Sequence, residues 1–124
     1  MRNPRPKYLN LLQIRLPLPG LVSIAHRITG AGLFLLIPLL LYLLQLSLES
    51  PETFRAFKVL IGHPLMKLFI IALVWAYLHH FCAGIRHLAL DLHVGTDLAA
   101  ARTSSWAVLA VSMALTLLFG ALVW

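Results

Sequence analysis

Cysteine is almost missing from this 124-residue chain, and Cys82, its one example, sits inside an apolar run. An intramolecular disulfide is therefore excluded. Without Cys-x-x-Cys-His there is no site for covalent haem attachment, and without a set of thiolates there is none for an iron–sulfur cluster. Cys82 reads as a small buried apolar residue. Acidic residues are nearly as scarce: four Asp and Glu stand against ten Lys and Arg, a net charge of +6. Charged residues make up only 11% of the chain, against about 25% in soluble domains. No Gly-rich nucleotide loop occurs either. These absences leave no soluble domain large enough for a catalytic centre.

Hydrophobic residues, by contrast, make up 60%. A domain this small exposes too much surface to hide that excess from water. The bilayer is the solvent that accepts it. The expected fold is an all-α integral membrane protein, three transmembrane helices forming part of a heteromeric bundle. The basic residues crowd the ends of apolar runs and are not interleaved with aromatics. They point to topology and anionic lipid head groups, not to nucleic acid.

Residues 1–20 read as a cytoplasmic N-terminal segment, broken by Pro4, Pro6, Pro17 and Pro19. Leu9, Leu11, Leu12, Ile14 and Leu16 suggest that it lies at the membrane surface. Residues 21–48 read as the first span, with Pro38 expected to kink it. An external loop is expected over 49–64, the second span over 65–92, a cytoplasmic loop over 93–103 and the third span over 104–124. A helix crosses the hydrocarbon in about 20 residues, so the second span should tilt or protrude. Trp106 and Trp124 are placed like interface anchors. The first span is too long for a signal-peptide core and reads as uncleaved. Four basic residues and no acid precede it, whereas two acids balance the two basic residues of the next connection. This orients the N-terminus to the cytoplasm and the C-terminus outside, in a bacterial inner membrane.

Two polar clusters lie where such groups are costly, about 2.5–3.5 kcal/mol for a charge deep in a span. Ser23, His26, Arg27 and Gly30 are spaced i, i+3, i+4, i+7, which places them on one face of the first helix. His80, Gly84, His87 and Asp91 form a stripe on the second helix. His79 falls about 100° and Arg86 about 120° away from that stripe. Head-group snorkelling accounts for a lone Arg27, and an interhelical hydrogen bond for a lone histidine. A shared face asks for more. Imidazole is an axial ligand of haem iron, and Gly84, one turn from His80, would make room for a porphyrin. His26, Arg27 and His87 would then meet the propionates. Zinc would need close ligands that His80 and His87, about 10 Å apart along the axis, do not provide. Ser23 and Arg27 can also hydrogen-bond quinone carbonyls, or serve only as a structural cap.

With these residues in view, the chain resembles the cytochrome b-556 membrane anchors of succinate dehydrogenase. Ser23-Ile24-Ala25-His26-Arg27-Ile28-Thr29-Gly30 matches that family's S-I-x-H-R-x-[ST]-G element. His80-Phe81-Cys82-Ala83-Gly84-Ile85-Arg86-His87 followed by Asp91 matches its H-x-x-x-G-x-R-H-x-x-x-D element. Arg5-Pro6 and Asn10-Leu11 precede them much as in the family, and the three-span layout agrees. The resemblance implies His80 as axial ligand of a haem b shared with a second small membrane anchor, with His26, Arg27 and His87 around the propionates. It implies Ser23 and Arg27 in a ubiquinone site beside an iron–sulfur subunit, which is fed by a flavoprotein in the tricarboxylic acid cycle and respiration. This chain would then be a non-catalytic subunit of an oxidoreductase. A fumarate reductase anchor is the same architecture run in reverse. A cofactor-free proton-path or transport subunit would need a polar stripe across the whole membrane, whereas the third span carries only Ser112 and Thr116 inside. An inert anchor would leave His80 unexplained.

Overall fold

The structure, a computed structural model, describes residue 10 and residues 13–124. The surface segment expected from Leu9, Leu11 and Leu12, the basic Arg2, Arg5 and Lys7, and the Arg5-Pro6 pair lie outside the described residues. Among the described residues there are four helices and no strand: α1 (Leu18–Leu48), α2 (Pro51–Gly62), α3 (Pro64–Asp91) and α4 (Leu98–Val123). Three of them, α1, α3 and α4, are long and apolar enough to cross a membrane.

Prolines and short polar residues set the helix boundaries. α1 begins after the extended Pro17, with Pro19 in its first turn, where a missing N–H costs nothing. It continues through Pro38 for 31 residues. The 49–64 stretch, expected as a loop, carries α2. Ser50 and Thr53 form a capping box: the Thr53 N–H donates to Ser50 Oγ (3.1 Å) and the Ser50 N–H to Thr53 Oγ1 (3.0 Å). Pro51 at the start of α2 reinforces the signal. The 12 residues of α2 are too few to span a bilayer. Its apolar residues Phe54, Phe57 and Ile61 recur at helical spacing beside Arg55, which pairs with Glu52 at 3.0 Å. α3 is capped by the His63 side chain. It ends in a turn through His93 and Gly95, both at positive φ (60° and 72°). α4 starts at Leu98, six residues before the expected 104, because Asp97 accepts a hydrogen bond from the Ala100 N–H (2.9 Å) and Ala99, Ala100 and Ala101 favour helix.

α3 is the central element, packed on α4 along one side and α1 along another. One residue from each span meets at the core: Val22, Ala83 and Val108, with Cys82 and Leu109 against them. α4 turns a face of small residues inward. Ser105, Ser112 and Thr116 are buried, and each hydroxyl donates to a carbonyl of its own helix. Further along, Gly120 faces Ile71, and a Cβ there would make only ordinary contact with the Ile71 side chain at 3.5 Å. The outer surface is rich in exposed Phe and Leu, among them Phe34, Leu35, Leu88, Leu117 and Leu122. In water such a surface would aggregate, whereas in hydrocarbon it is the normal exterior.

Candidate functional site

The site lies between α1 and α3, where three histidines converge. The His26 and His80 rings stack nearly parallel, with centroids 4.2 Å apart and planes 6° from parallel. The His87 ring lies 4.9 Å from His26, tilted. His26 thus reaches from α1 into the α3 stripe and touches both of its histidines. The stripe was legible from spacing, but the reach across it was not. Gly84, expected to open room beside His80, faces the His26 ring instead, with Nε2 3.6 Å from the position of a Cβ there. The small residue against His80 is Gly30 on α1, where a Cβ would stand only 2.7 Å from His80 Cε1.

One hydrogen bond orients the His80 ring. Its Nδ1 lies 3.0 Å from the backbone carbonyl oxygen of His26. A carbonyl only accepts, so Nδ1 carries the proton and the Nε2 lone pair is left to a ligand. The Thr29 hydroxyl also lies near that carbonyl, at 3.0 Å, and at 2.8 Å from the Ala25 oxygen. Its single proton is shared between them.

His79 is the opposite case. It is 0% exposed, its ring lies against Trp75, and neither ring nitrogen has a hydrogen-bond partner. It therefore faces the interior of its own bundle. His80 is half-buried on the α1 side.

Ser23, one turn before His26 on α1, is half-buried, and Arg27, the next residue after His26, is exposed. Arg27 is thus available to groups outside the chain. Asp91, the last member of the stripe, is exposed. Arg86 turns away from the cluster: it is 7% exposed, and its Nε donates to Ser104 Oγ at 3.0 Å, fastening α3 to α4. Beyond the histidines, an apolar groove of about 340 Å³ follows the α1–α3 seam, lined by residues including Gly32, Leu36, Phe69, Ala72 and Ala76. Ala76, at one end of its lining, stands one helical turn from His80. Among the described residues no three His, Cys, Asp or Glu groups gather to hold a metal ion. The arrangement offers one imidazole ligand and apolar walls, with cations and further imidazoles at one end. That donor set suits an amphiphilic macrocycle, and not a metal cage built from these residues alone.

Comparison with known proteins places the chain in a family. Residues 1–119 match the family described as succinate dehydrogenase/fumarate reductase transmembrane subunit. A succinate dehydrogenase cytochrome b556 subunit of Coxiella burnetii is 37% identical over 125 residues, covering 100% of both chains. The protein of the same name in Paracoccus denitrificans is 34% identical, over 94% of this chain and 90% of that one. That of Rickettsia felis is 32% identical, with the same coverage.

Proposed function

The chain belongs to the family of succinate dehydrogenase/fumarate reductase transmembrane subunits, and from that premise we propose that it anchors a succinate:quinone oxidoreductase in a bacterial inner membrane. In this reading it holds a b-type haem together with a second small anchor. It also helps to form the ubiquinone site, beside an iron–sulfur subunit that is fed by a flavoprotein. The relatives' shared name, succinate dehydrogenase cytochrome b556 subunit, favours the succinate-oxidising direction over fumarate reduction.

The observation that carries the haem assignment is the His80 ring, whose Nδ1 is tied to the His26 carbonyl at 3.0 Å and whose Nε2 is left free. A metal-binding histidine needs this division of its two nitrogens. The apolar groove along α1 and α3 suits the macrocycle, and His26, Arg27 and His87 are the donors for its propionates. When bound, the haem supplies a one-electron store. The chain's own part is to ligate with His80, to neutralise with Arg27, to donate hydrogen bonds from the flanking imidazoles, and to exclude water with apolar walls. Ser23 and Arg27, one turn apart on α1, can each hydrogen-bond a quinone carbonyl. The guanidinium favours the negative charge that develops there on reduction.

The test is a dithionite-reduced minus oxidised visible spectrum of the purified complex. We expect a b-type α band in the wild type, lost or strongly diminished in His80→Ala and retained in His79→Leu. A band that survives in His80→Ala would remove the ligand assignment. Its absence from the wild type would remove the haem.

A further inference from the structure

We infer that the α1 backbone from His26 to Gly30 is the positioning element of His80: Gly30 admits the ring, and the His26 carbonyl fixes its proton on Nδ1. The inference rests on the haem reading above and deepens it, adding a role for Gly30, which that reading does not use.

Two separate distances carry it. A Cβ on residue 30 would lie 2.7 Å from His80 Cε1 and 3.1 Å from Nδ1. Real Cβ atoms essentially never come so close to another heavy atom, and the atoms they would meet belong to a ring wedged against the His26 imidazole at 4.2 Å. Gly30→Ala would therefore shift the ring from its present place in that stack. The 3.0 Å contact from Nδ1 to the His26 oxygen gives the close approach its purpose. In an α-helix the carbonyl of residue 26 already accepts from the N–H of residue 30. The Thr29 hydroxyl also lies 3.0 Å from that carbonyl oxygen but shares its one proton with the nearer Ala25 oxygen at 2.8 Å, which leaves the carbonyl capacity for a further donor. A Cβ at residue 30 would crowd the ring of that donor. Glycine leaves room for the ring, so an imidazole from α3 can lie on the α1 backbone and donate to the carbonyl. The bond sets the tautomer, the ring plane and the basicity of Nε2 together. His26 therefore acts twice, through its side chain towards His87 and through its main chain towards His80. The second role survives any side-chain substitution at position 26.

The experiment compares Gly30→Ala with Gly20→Ala, a glycine of the same helix whose added Cβ would meet only ordinary contacts at 3.8 Å or more. Both are made in the whole complex. Assembly is scored by co-purification of the partner subunits, and the site by haem per complex and the low-spin electron paramagnetic resonance signal. Groups that orient a metal ligand typically change affinity about 10–100-fold when lost. We expect Gly30→Ala to retain haem at least ~10-fold more weakly on dilution, with shifted resonance positions, and Gly20→Ala to match the wild type. A Gly30→Ala complex with wild-type haem content and unshifted signals would overturn the inference and leave the haem reading intact. A wild type without haem would defeat the haem reading itself. If Gly30→Ala does not assemble, the double variant Gly30→Ala/His80→Ala decides. Removing the ring removes the clash, so assembly should return to that of His80→Ala alone, and continued failure would overturn the inference.

Discussion

His79 and His80 are neighbours in the chain with opposite surroundings, because successive helical residues point about 100° apart. That rotation was legible in the sequence: His80 shares a face with Gly84 and His87, and His79 does not. What fills the space beside each residue was not legible, because it depends on a second helix whose register no local pattern encodes. Gly84 illustrates the gap. Its size marks a close approach, and the sequence suggested a porphyrin, whereas the structure places the His26 ring there. Gly30 carried the same signal within the S-I-A-H-R-I-T-G stretch, and only the packing of α3 on α1 shows that His80 is what it admits. Ser23 and Arg27 are the residue-scale case for the quinone. Loss of a neutral hydrogen bond costs about 1 kcal/mol and loss of a charged one about 1.5–3 kcal/mol. We therefore expect Ser23→Ala to lower kcat/KM for ubiquinone about 5-fold and Arg27→Ala about 10–150-fold. Succinate-driven reduction of a soluble dye should stay near the wild-type rate, and an equal loss in both assays would count against the quinone role.

Helices that face lipid on one side and protein on the other hide their interfaces from hydropathy, since both faces are apolar. α4 shows the consequence. Its length and apolarity marked a span, but its inward face is made of Ser105, Val108, Ser112 and Thr116, small residues that admit a close neighbour. The hydroxyls hold to their own helix, so their value at the seam lies in size more than in bonding across it. Arg86 adds a polar fastening to Ser104. The sequence showed only that Arg86 left the histidine stripe, not that it faced α4. The α2 helix went unread for a different reason: Ser50, Pro51 and Thr53 spell a helix start, but the charges that follow suggested a loop. Ser112 tests the seam. It is 0% exposed, whereas Met113 beside it is 48% exposed. Overpacking a closed site costs about 1–3 kcal/mol. Ser112→Leu should therefore lower the melting temperature of the purified complex by several degrees, and Met113→Leu should leave it unchanged. Equal effects would mean that α4 does not present this face to α3.

As a whole, the molecule has little interior. Among the described residues the buried hydrophobics are Val22, Leu43, Ala83 and Val108, while Ile, Leu, Phe and Trp side chains cover the outside. Such a chain must find most of its burial outside itself, in lipid or against other chains. The charges divide unevenly between its two ends. Arg15, Arg27, Arg86 and Arg102 lie towards the start of α1 and the α3–α4 turn, and Arg2, Arg5 and Lys7 precede them in the sequence. The opposite end carries Arg55, Lys58 and Lys67, with Glu49 and Glu52 among them. Lys and Arg favour the cytoplasmic side. We therefore expect the α3–α4 turn and the histidine-bearing ends of α1 and α3 to lie inside the cell, and α2 outside. A single cysteine at either end tests this once Cys82 is replaced by alanine. Glu52→Cys and Thr96→Cys both put the thiol at an exposed position. In intact cells with a permeable outer membrane, a membrane-impermeant maleimide should label the first variant and reach the second only after lysis. The reverse pattern would invert the topology and place the histidine cluster on the periplasmic side, away from any iron–sulfur partner in the cytoplasm. That arrangement would leave the proposed quinone site without its electron donor.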